Sequence, residues 1–173
     1  MWPYLSGWTA SQRFARACLA AAMVLFASPL TAQDWSRYAA PGVVIDVPTR
    51  SFVVVSDEGG RLRLSDAERG AELQVFGGRN VQGLSVAAFR QAVESADPSR
   101  DITYRAAGNS WFVISGHMTD PESADGLIYY AKFIFSTDRS QFAAFEISYP
   151  RRLKQAFDRV LERLEESLSV GGR

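Results

Sequence analysis

The C-terminal end of the chain carries an apolar stripe that needs a packed helix to bury it. Seven apolar side chains recur there at the helical period, all on one side of the segment that follows Pro150: Leu153, Ala156, Phe157, Val160, Leu161, Leu164 and Leu168. A stripe of this length needs a broad apolar surface to cover it. The β-branched runs upstream can provide one, so the sequence predicts a C-terminal helix lying on a β-sheet.

Short extended segments separated by turns make up most of the preceding sequence. Residues 61–64 alternate charged and apolar side chains, which is typical of a half-exposed strand. Residues 111–118 are apolar on both faces, which predicts a central strand that is covered on both sides. Ser85 is a candidate N-cap for a helix that Asp97-Pro98 would end. Further strands are predicted at 43–47, 52–55, 71–76 and 102–107, after a polar and aromatic lead-in over 33–40.

The clearest hairpin joins residues 127–136 to 142–149 through a turn near Asp138 and Arg139. The predicted register sets three pairs of residues opposite each other: Lys132 with Glu146, Tyr130 with Ser148, and Phe133 with Phe145. Cross-strand pairs of opposite charges and of aromatic rings favour this register. With one helix midway and one at the end, the pattern predicts an α+β fold, an antiparallel β-sheet with helices packed on its faces.

The first 32 residues have the order of a cleavable secretory signal peptide. Arg13 and Arg16 form a basic segment, residues 17–30 form an apolar core too short to span a bilayer, and Ala32 ends a cleavage site. Residues 33–173 are then one exported domain, periplasmic or secreted, with no stable membrane insertion after cleavage. Because Cys18 is the chain's only cysteine, the exported domain has no disulfide and must be stabilised by packing.

The charge balance and the scarcity of reactive residues argue against several function classes. Nineteen basic residues balance nineteen acidic ones, a composition that argues against a nucleic-acid partner. One histidine and no cysteine in the exported domain predict no zinc site and no cofactor. Asp120, Glu122 and Asp125 share one loop that could hold a hard cation weakly, but a solvated acidic turn is the simpler interpretation. We therefore predict no metal site.

Two pairs of side chains are candidates for catalysis. His117 is the only acid–base candidate near neutral pH, and Ser115 lies two residues away on the same strand face. The sequence lacks the glycine–x–serine–x–glycine turn of hydrolases, so a structural histidine is the simpler interpretation. Lys132 with Glu146 forms the second pair, which a structural ion pair also explains. We predict no catalytic residues; the alternative is a hydrolase-type or ligand-binding enzyme that uses either pair.

The same hairpin and the basic start of the last helix supply the binding candidates. Arg151 and Arg152 open that helix, where free backbone amides favour an anion, although a solvated basic turn is the simpler interpretation. The full candidate set for binding is His117, Tyr130, Lys132, Glu146, Arg151 and Arg152. None of these residues belongs to a phosphate-binding fingerprint.

Several segments resemble small exported bacterial proteins related to the PsbP-like superfamily. The matching residues are 38–48 (YAAPGVVIDVP), the strand–turn–strand of 60–77, 102–105 (ITYR), 111–116 (WFVISG), 129–132 (YYAK) and 147–150 (ISYP). The resemblance implies an α/β/α sandwich around an antiparallel sheet and a role without enzyme chemistry. The expected function is an exported accessory or binding domain that contacts a protein partner in the cell envelope. Its oligomeric state is left open.

Overall fold

The computed structural model describes residues 34–119 and 126–171. Their elements, in chain order, are β1 (Trp35–Ala40), β2 (Val43–Pro48), β3 (Val53–Glu58), β4 (Arg61–Asp66), β5 (Ala71–Arg79), α1 (Val86–Ala96), β6 (Arg100–Ala107), β7 (Trp111–Met118), β8 (Leu127–Phe135), β9 (Gln141–Pro150), α2 (Lys154–Ser167) and β10 (Ser169–Val170). A 3-10 turn over Arg151–Leu153 leads into α2. The predicted signal peptide and the acidic loop of Asp120, Glu122 and Asp125 lie outside the described residues.

The strands form two antiparallel sheets. The larger sheet has the order β3-β4-β5-β9-β8-β7-β6, and the smaller has the order β1-β2-β10. The sequence predicts a polar and aromatic lead-in over 33–40 with no strand, and this prediction is wrong. Most of the segment is β1, which pairs with β2 along its whole length. A tight turn joins these two strands, and Gly42 adopts a φ of 88° there, a conformation that glycine tolerates without a Cβ clash.

Two apolar cores lie on opposite faces of the larger sheet. On one face α1 packs over aromatic side chains, with Phe89 near the stacked rings of Phe112 and Phe133, whose centroids are 4.7 Å apart. On the other face α2 and the smaller sheet bury Ile45 and Leu164 against β4, β5 and β9. The predicted α+β architecture is confirmed, and the smaller sheet shares one face with α2.

Both helices follow their sequence signals. Ser85 caps α1 by accepting a hydrogen bond from the Ala88 backbone N–H at 3.2 Å, and the helix ends before Asp97 as predicted. Phe157, Val160 and Leu164 of the α2 stripe are buried. Ala156 is the member of the stripe that lies exposed. Local periodicity therefore predicts the helices correctly.

The β8–β9 hairpin forms, but its register is shifted by one residue from the predicted one. The turn does centre on Asp138 and Arg139, yet the strands pair Lys132 with Phe145, Ala131 with Glu146, Tyr130 with Ile147, and Phe133 with Ala144. A shift of one residue moves every side chain of a strand to the other face. The predicted Lys132–Glu146 pair is therefore wrong, because the two side chains lie on opposite faces of the sheet. This register places Phe145 and Ile147 in the core beneath α2.

Strand β7 is buried on both faces but is not central. Phe112, Val113 and Ile114 are all at most 4% exposed, which agrees with the apolar pattern of residues 111–118. In the sheet, however, β7 lies second from the edge, and β9 occupies the middle position. Cover on both faces, rather than a central position, explains the pattern.

Candidate functional site

A cavity of about 470 Å³ lies beside the start of α2 and gathers four of the candidate residues. Its lining includes Ser115, His117, Tyr130 and Arg151, together with Tyr104 from the edge strand β6. We call it the His117 cavity. The other three candidates do not line it: Lys132, Glu146 and Arg152.

Strand alternation and one glycine set the shape of this cavity. Ser115 pairs with Tyr130, and His117 pairs with Ile128, so these four side chains share the α2 face of the sheet. Gly116 lies between them, and a Cβ there would come within 1.9 Å of the Asp101 carbonyl oxygen. Glycine thus lets β6 approach β7 closely next to an irregularity in its own pairing.

Ser115 and His117 share the cavity without forming a nucleophile–base pair. The Ser115 hydroxyl donates a hydrogen bond to the Tyr129 carbonyl oxygen at 2.8 Å. His117 Nδ1 is buried and has no hydrogen-bond partner among the described residues. A serine nucleophile needs a base that accepts its proton, and here the hydroxyl is engaged by the backbone. In this structure the Ser115 hydroxyl therefore donates its hydrogen bond to the backbone and not to His117.

Lys132 forms its ion pair with Glu165 of α2 and not with Glu146 of β9. Its Nζ lies 2.8 Å from Oε2 of Glu165, and the Tyr130 hydroxyl donates to Oε1 of the same carboxylate. Burial, reinforced by this hydrogen bond, raises the pKa of Tyr130. Glu165 is not among the residues predicted from the sequence, although its spacing from Leu161 and Leu168 places it on the edge of the apolar stripe.

Glu146 belongs to a separate cluster on the α1 face of the sheet. Arg100 places one guanidinium nitrogen 3.4 Å from Glu146 Oε2 and donates from another to the Tyr129 hydroxyl at 2.7 Å. The guanidinium carbon also lies 4.1 Å from the centre of the Tyr129 ring. Arg100 was missed because it precedes the strand predicted from residue 102 onward. This cluster attaches β6 to the centre of the sheet.

Arg151 and Arg152 are both exposed in the 3-10 turn before α2, but of the two only Arg151 lines the His117 cavity. Arg151 lines the His117 cavity, and its backbone N–H donates to the Gly126 carbonyl at 3.2 Å. Lys154 and Asp158 also line the cavity and form an ion pair at 3.1 Å.

Within residues 34–119 and 126–171, no three potential metal-ligating side chains come together.

Two of the solved structures that resemble the chain cover most of its length. The Ran-binding protein Mog1p of Saccharomyces cerevisiae gives a TM-score of 0.54 at 11% identity, over 79% of this chain and 96% of Mog1p. The cyanobacterial PsbP (CyanoP) of Synechocystis sp. PCC 6803 gives 0.56 at 13% identity, over 82% of this chain and 95% of CyanoP. The chain has a Mog1/PsbP-like fold. The PsbP-like resemblance predicted from the sequence is thereby confirmed at the level of fold.

Other comparisons add no relatives. No protein-family model matches the sequence, and no curated protein matches it. In the part of the chain that the structure describes, none of the helices has the length and apolar character that crossing a bilayer requires.

Several of the described tyrosines are held in the protonated form. Burial, helped by the neighbouring Asp57 carboxylate, raises the pKa of Tyr38 to about 12. Burial likewise raises the pKa of Tyr149 to about 12 and shifts the pKa of Tyr129 and Tyr130 upward. Each phenol therefore ionises more easily in the unfolded chain than in the folded one.

Alkaline unfolding follows from these shifts. The stabilisation is fully present below the ordinary tyrosine pKa of 10 and is lost as the pH rises through the folded pKa values. We expect the phenolate absorbance of Tyr129, Tyr130 and Tyr149 and the far-UV circular dichroism to change together in one transition above pH 10. Ionisation of these three tyrosines near pH 10 with the circular dichroism unchanged would contradict this expectation.

Proposed function

We propose that the chain is an exported, non-enzymatic binding domain that acts by contact with a protein partner in the cell envelope. The observation that carries the proposal is that the candidate reactive side chains are already bonded to other groups of the fold. The Ser115 hydroxyl is bound to the backbone, and Lys132 is bound to Glu165. The cavity beside them presents side chains suited to recognition.

The rim of the His117 cavity supplies the contact chemistry. Tyr104 is 56% exposed and offers a large amphipathic ring, and Arg151 offers an exposed guanidinium. Tyrosine and arginine are enriched among the residues that dominate protein–protein binding energy. The expected partner element is therefore an acidic or aromatic side chain that enters the cavity.

The fold is consistent with a binding function. Mog1p, with the same fold, is a Ran-binding protein. The proposal carries over the mode of action, protein contact, and not the identity of the partner. The proposed location in the envelope rests on residues 1–32, whose order is that of a secretory signal.

Site-directed photocrosslinking tests the contact site. A photoreactive phenylalanine at position 104 is expected to give one discrete adduct in living cells. The matched control carries it at Trp111, an aromatic residue at the other end of β7 and outside the cavity. Arg151→Glu is expected to abolish the adduct, whereas Arg152→Glu keeps it. Equal labelling at positions 104 and 111, or equal effects of the two arginine variants, would refute the contact site.

Export is tested separately. Cell fractionation is expected to place the protein in the envelope with an intact mass corresponding to residues 33–173, allowing for cyclisation of an N-terminal Gln33. A variant without residues 1–32 is expected to stay in the cytoplasm. Recovery of the full-length chain in the cytoplasm would contradict export. The crosslinking test of the contact site does not depend on this result.

A further inference from the structure

A second cavity, of about 740 Å³, lies outside the contact site proposed above. Arg79 ends β5 and lines this cavity beside Gln141, the residue opposite it at the start of β9. We call it the Arg79 cavity. It lies at the other end of β9 from Arg151, and none of its described lining residues belongs to the His117 cavity.

Several polar groups on the wall of the Arg79 cavity lack a partner. Among the described residues, the Arg79 guanidinium forms no ion pair or hydrogen bond, and the Gln141 side-chain amide forms no hydrogen bond. The backbone N–H and C=O groups of Gly59 and Gly60, in the turn between β3 and β4, form none either. No acidic side chain of the described residues lines the cavity, so Arg79 gives it a positive charge. Convergent polar groups in a concave site fix the orientation of a ligand.

Glycines also line the Arg79 cavity, and packing explains those on one side of it. A Cβ on Gly77 would lie 2.5 Å from the Gly42 backbone, so glycine lets the turn between β1 and β2 approach β5. A Cβ on Gly171 would lie 2.9 Å from the backbone nitrogen of Val43. The fold needs these glycines whether or not a ligand binds.

Packing does not explain the glycines of the turn between β3 and β4. Gly59 and Gly60 have φ values of 60° and 75°, but a Cβ on either would meet no atom within 4 Å. Asparagine tolerates such a φ, and Asn-Gly is a preferred sequence for a two-residue hairpin turn. The fold therefore has room for a side chain at Gly59, yet this part of the cavity wall is bare backbone.

We propose that the Arg79 cavity binds the C-terminal carboxylate of an extended peptide. The Arg79 guanidinium pairs with the carboxylate, which accepts two parallel hydrogen bonds from such a group. The Gln141 amide and the free backbone groups of Gly59 and Gly60 bind the main chain that precedes the carboxylate, and the bare wall lets that chain approach closely. Capture of a C-terminal carboxylate by backbone groups is a known mode of peptide recognition. A small organic carboxylate shares the Arg79 chemistry but lacks the main chain.

Titration of residues 33–173 with acetyl-tetraalanine, followed by ¹H–¹⁵N NMR, tests the site. The peptide with a free C-terminus is expected to shift the amide resonances of Gly59 and Gly60 with a dissociation constant of about 1 mM or lower. The same peptide with an amidated C-terminus is expected to bind at least about tenfold more weakly, because it lacks the charge. Acetate, as the small carboxylate, is expected to leave these resonances unshifted at the same concentration. No shift with the free peptide, or equal binding of the amidated peptide or of acetate, would each overturn the proposal.

Two variants locate the binding. Arg79→Gln is expected to weaken the free peptide at least about tenfold, whereas Arg63→Gln, at an exposed position of β4 outside the cavity, leaves its binding unchanged. Gly59→Asn keeps the turn and the melting temperature but places a side chain on the wall, so it is expected to weaken the peptide as well. Unchanged binding in Arg79→Gln, or equal losses in Arg79→Gln and Arg63→Gln, would refute the site. The Tyr104 crosslink is unaffected by these variants, so failure here is distinct from failure of the proposed function.

Discussion

Replacing Phe157 with alanine is expected to lower the free energy of unfolding by about 4 kcal/mol. Phe157 is 1% exposed and lies in the core that α2 forms with the two sheets. Its ring stacks on Tyr149 with centroids 4.4 Å apart and meets the edge of Phe52 at 6.4 Å. Alanine removes both contacts and leaves a cavity that rigid strands cannot close, so the variant loses packing as well as apolar burial.

Urea unfolding monitored by circular dichroism measures this effect, with Gln155→Ala as the matched control. Gln155 is an exposed residue of the same helix, and its replacement is expected to change stability by less than about 0.5 kcal/mol. If Phe157→Ala fails to fold, Phe157→Leu keeps the measurement possible, with an expected loss of about 1.5 kcal/mol. A loss from Phe157→Ala no larger than that of the control would refute the packing of α2 on the sheets.

The sequence predicts both helices because their signals are local. A cap at Ser85, the stop at Asp97-Pro98 and the stripe through Phe157 and Leu164 all lie within one helix length of the residues they govern. Burial then follows from periodicity, since a stripe on one side of a helix must face the core.

The hairpin register could not be predicted from charge pairs. A cross-strand ion pair such as Lys132 with Glu146 contributes about 0.2–1 kcal/mol. Burying one large apolar side chain contributes about 1.5–3 kcal/mol, and the observed register buries both Phe145 and Ile147 beneath α2. Burial in the core therefore determines the register. Lys132 pairs with Glu165 of α2, and rules for cross-strand pairs cannot predict a partner on a helix.

Local patterns predict strand β2 of the smaller sheet but not the sheet itself, for a different reason. Strand β10 has two residues, and Ser169 pairs with Val44 from the opposite end of the chain. Strand β10 forms only because α2 ends on the assembled core next to β2.

The lining of the His117 cavity also depends on tertiary structure that local patterns do not predict. Tyr104 and Arg151 meet His117 there because four strands, the 3-10 turn and α2 converge, whereas the sequence indicates only that Ser115 and His117 share a face.

Replacing Glu165 with glutamine is expected to lower the free energy of unfolding by about 2–3 kcal/mol. Glutamine keeps an oxygen for the Tyr130 hydroxyl but removes the negative charge that Lys132 faces at 2.8 Å. The Lys132 side chain is only 18% exposed, so its ammonium group is left partly buried without a counter-charge. The range stays below that for fully buried pairs because Glu165 is 32% exposed and water screens part of the interaction.

A double-mutant cycle separates this charge effect from lost packing. Lys132→Met alone is expected to cost about 1 kcal/mol, because methionine retains most of the apolar stem. The double variant Lys132→Met with Glu165→Gln is also expected to cost about 1 kcal/mol, since no unpaired ammonium group remains. The two residues are then coupled by about 2–3 kcal/mol, which chemical denaturation of the four proteins resolves.

The pair Lys154 and Asp158 provides the control cycle within the same helix. Its Nζ–Oδ1 distance of 3.1 Å is close to that of the Lys132–Glu165 pair, but its side chains are 65% and 52% exposed. Exposed pairs of this kind are coupled by about 0.3–0.5 kcal/mol. If the Lys132–Glu165 coupling is no larger than this, water reaches Lys132 freely. The lysine would then be an accessible cation near the His117 cavity, and the argument that Glu165 holds it in a structural role would fail.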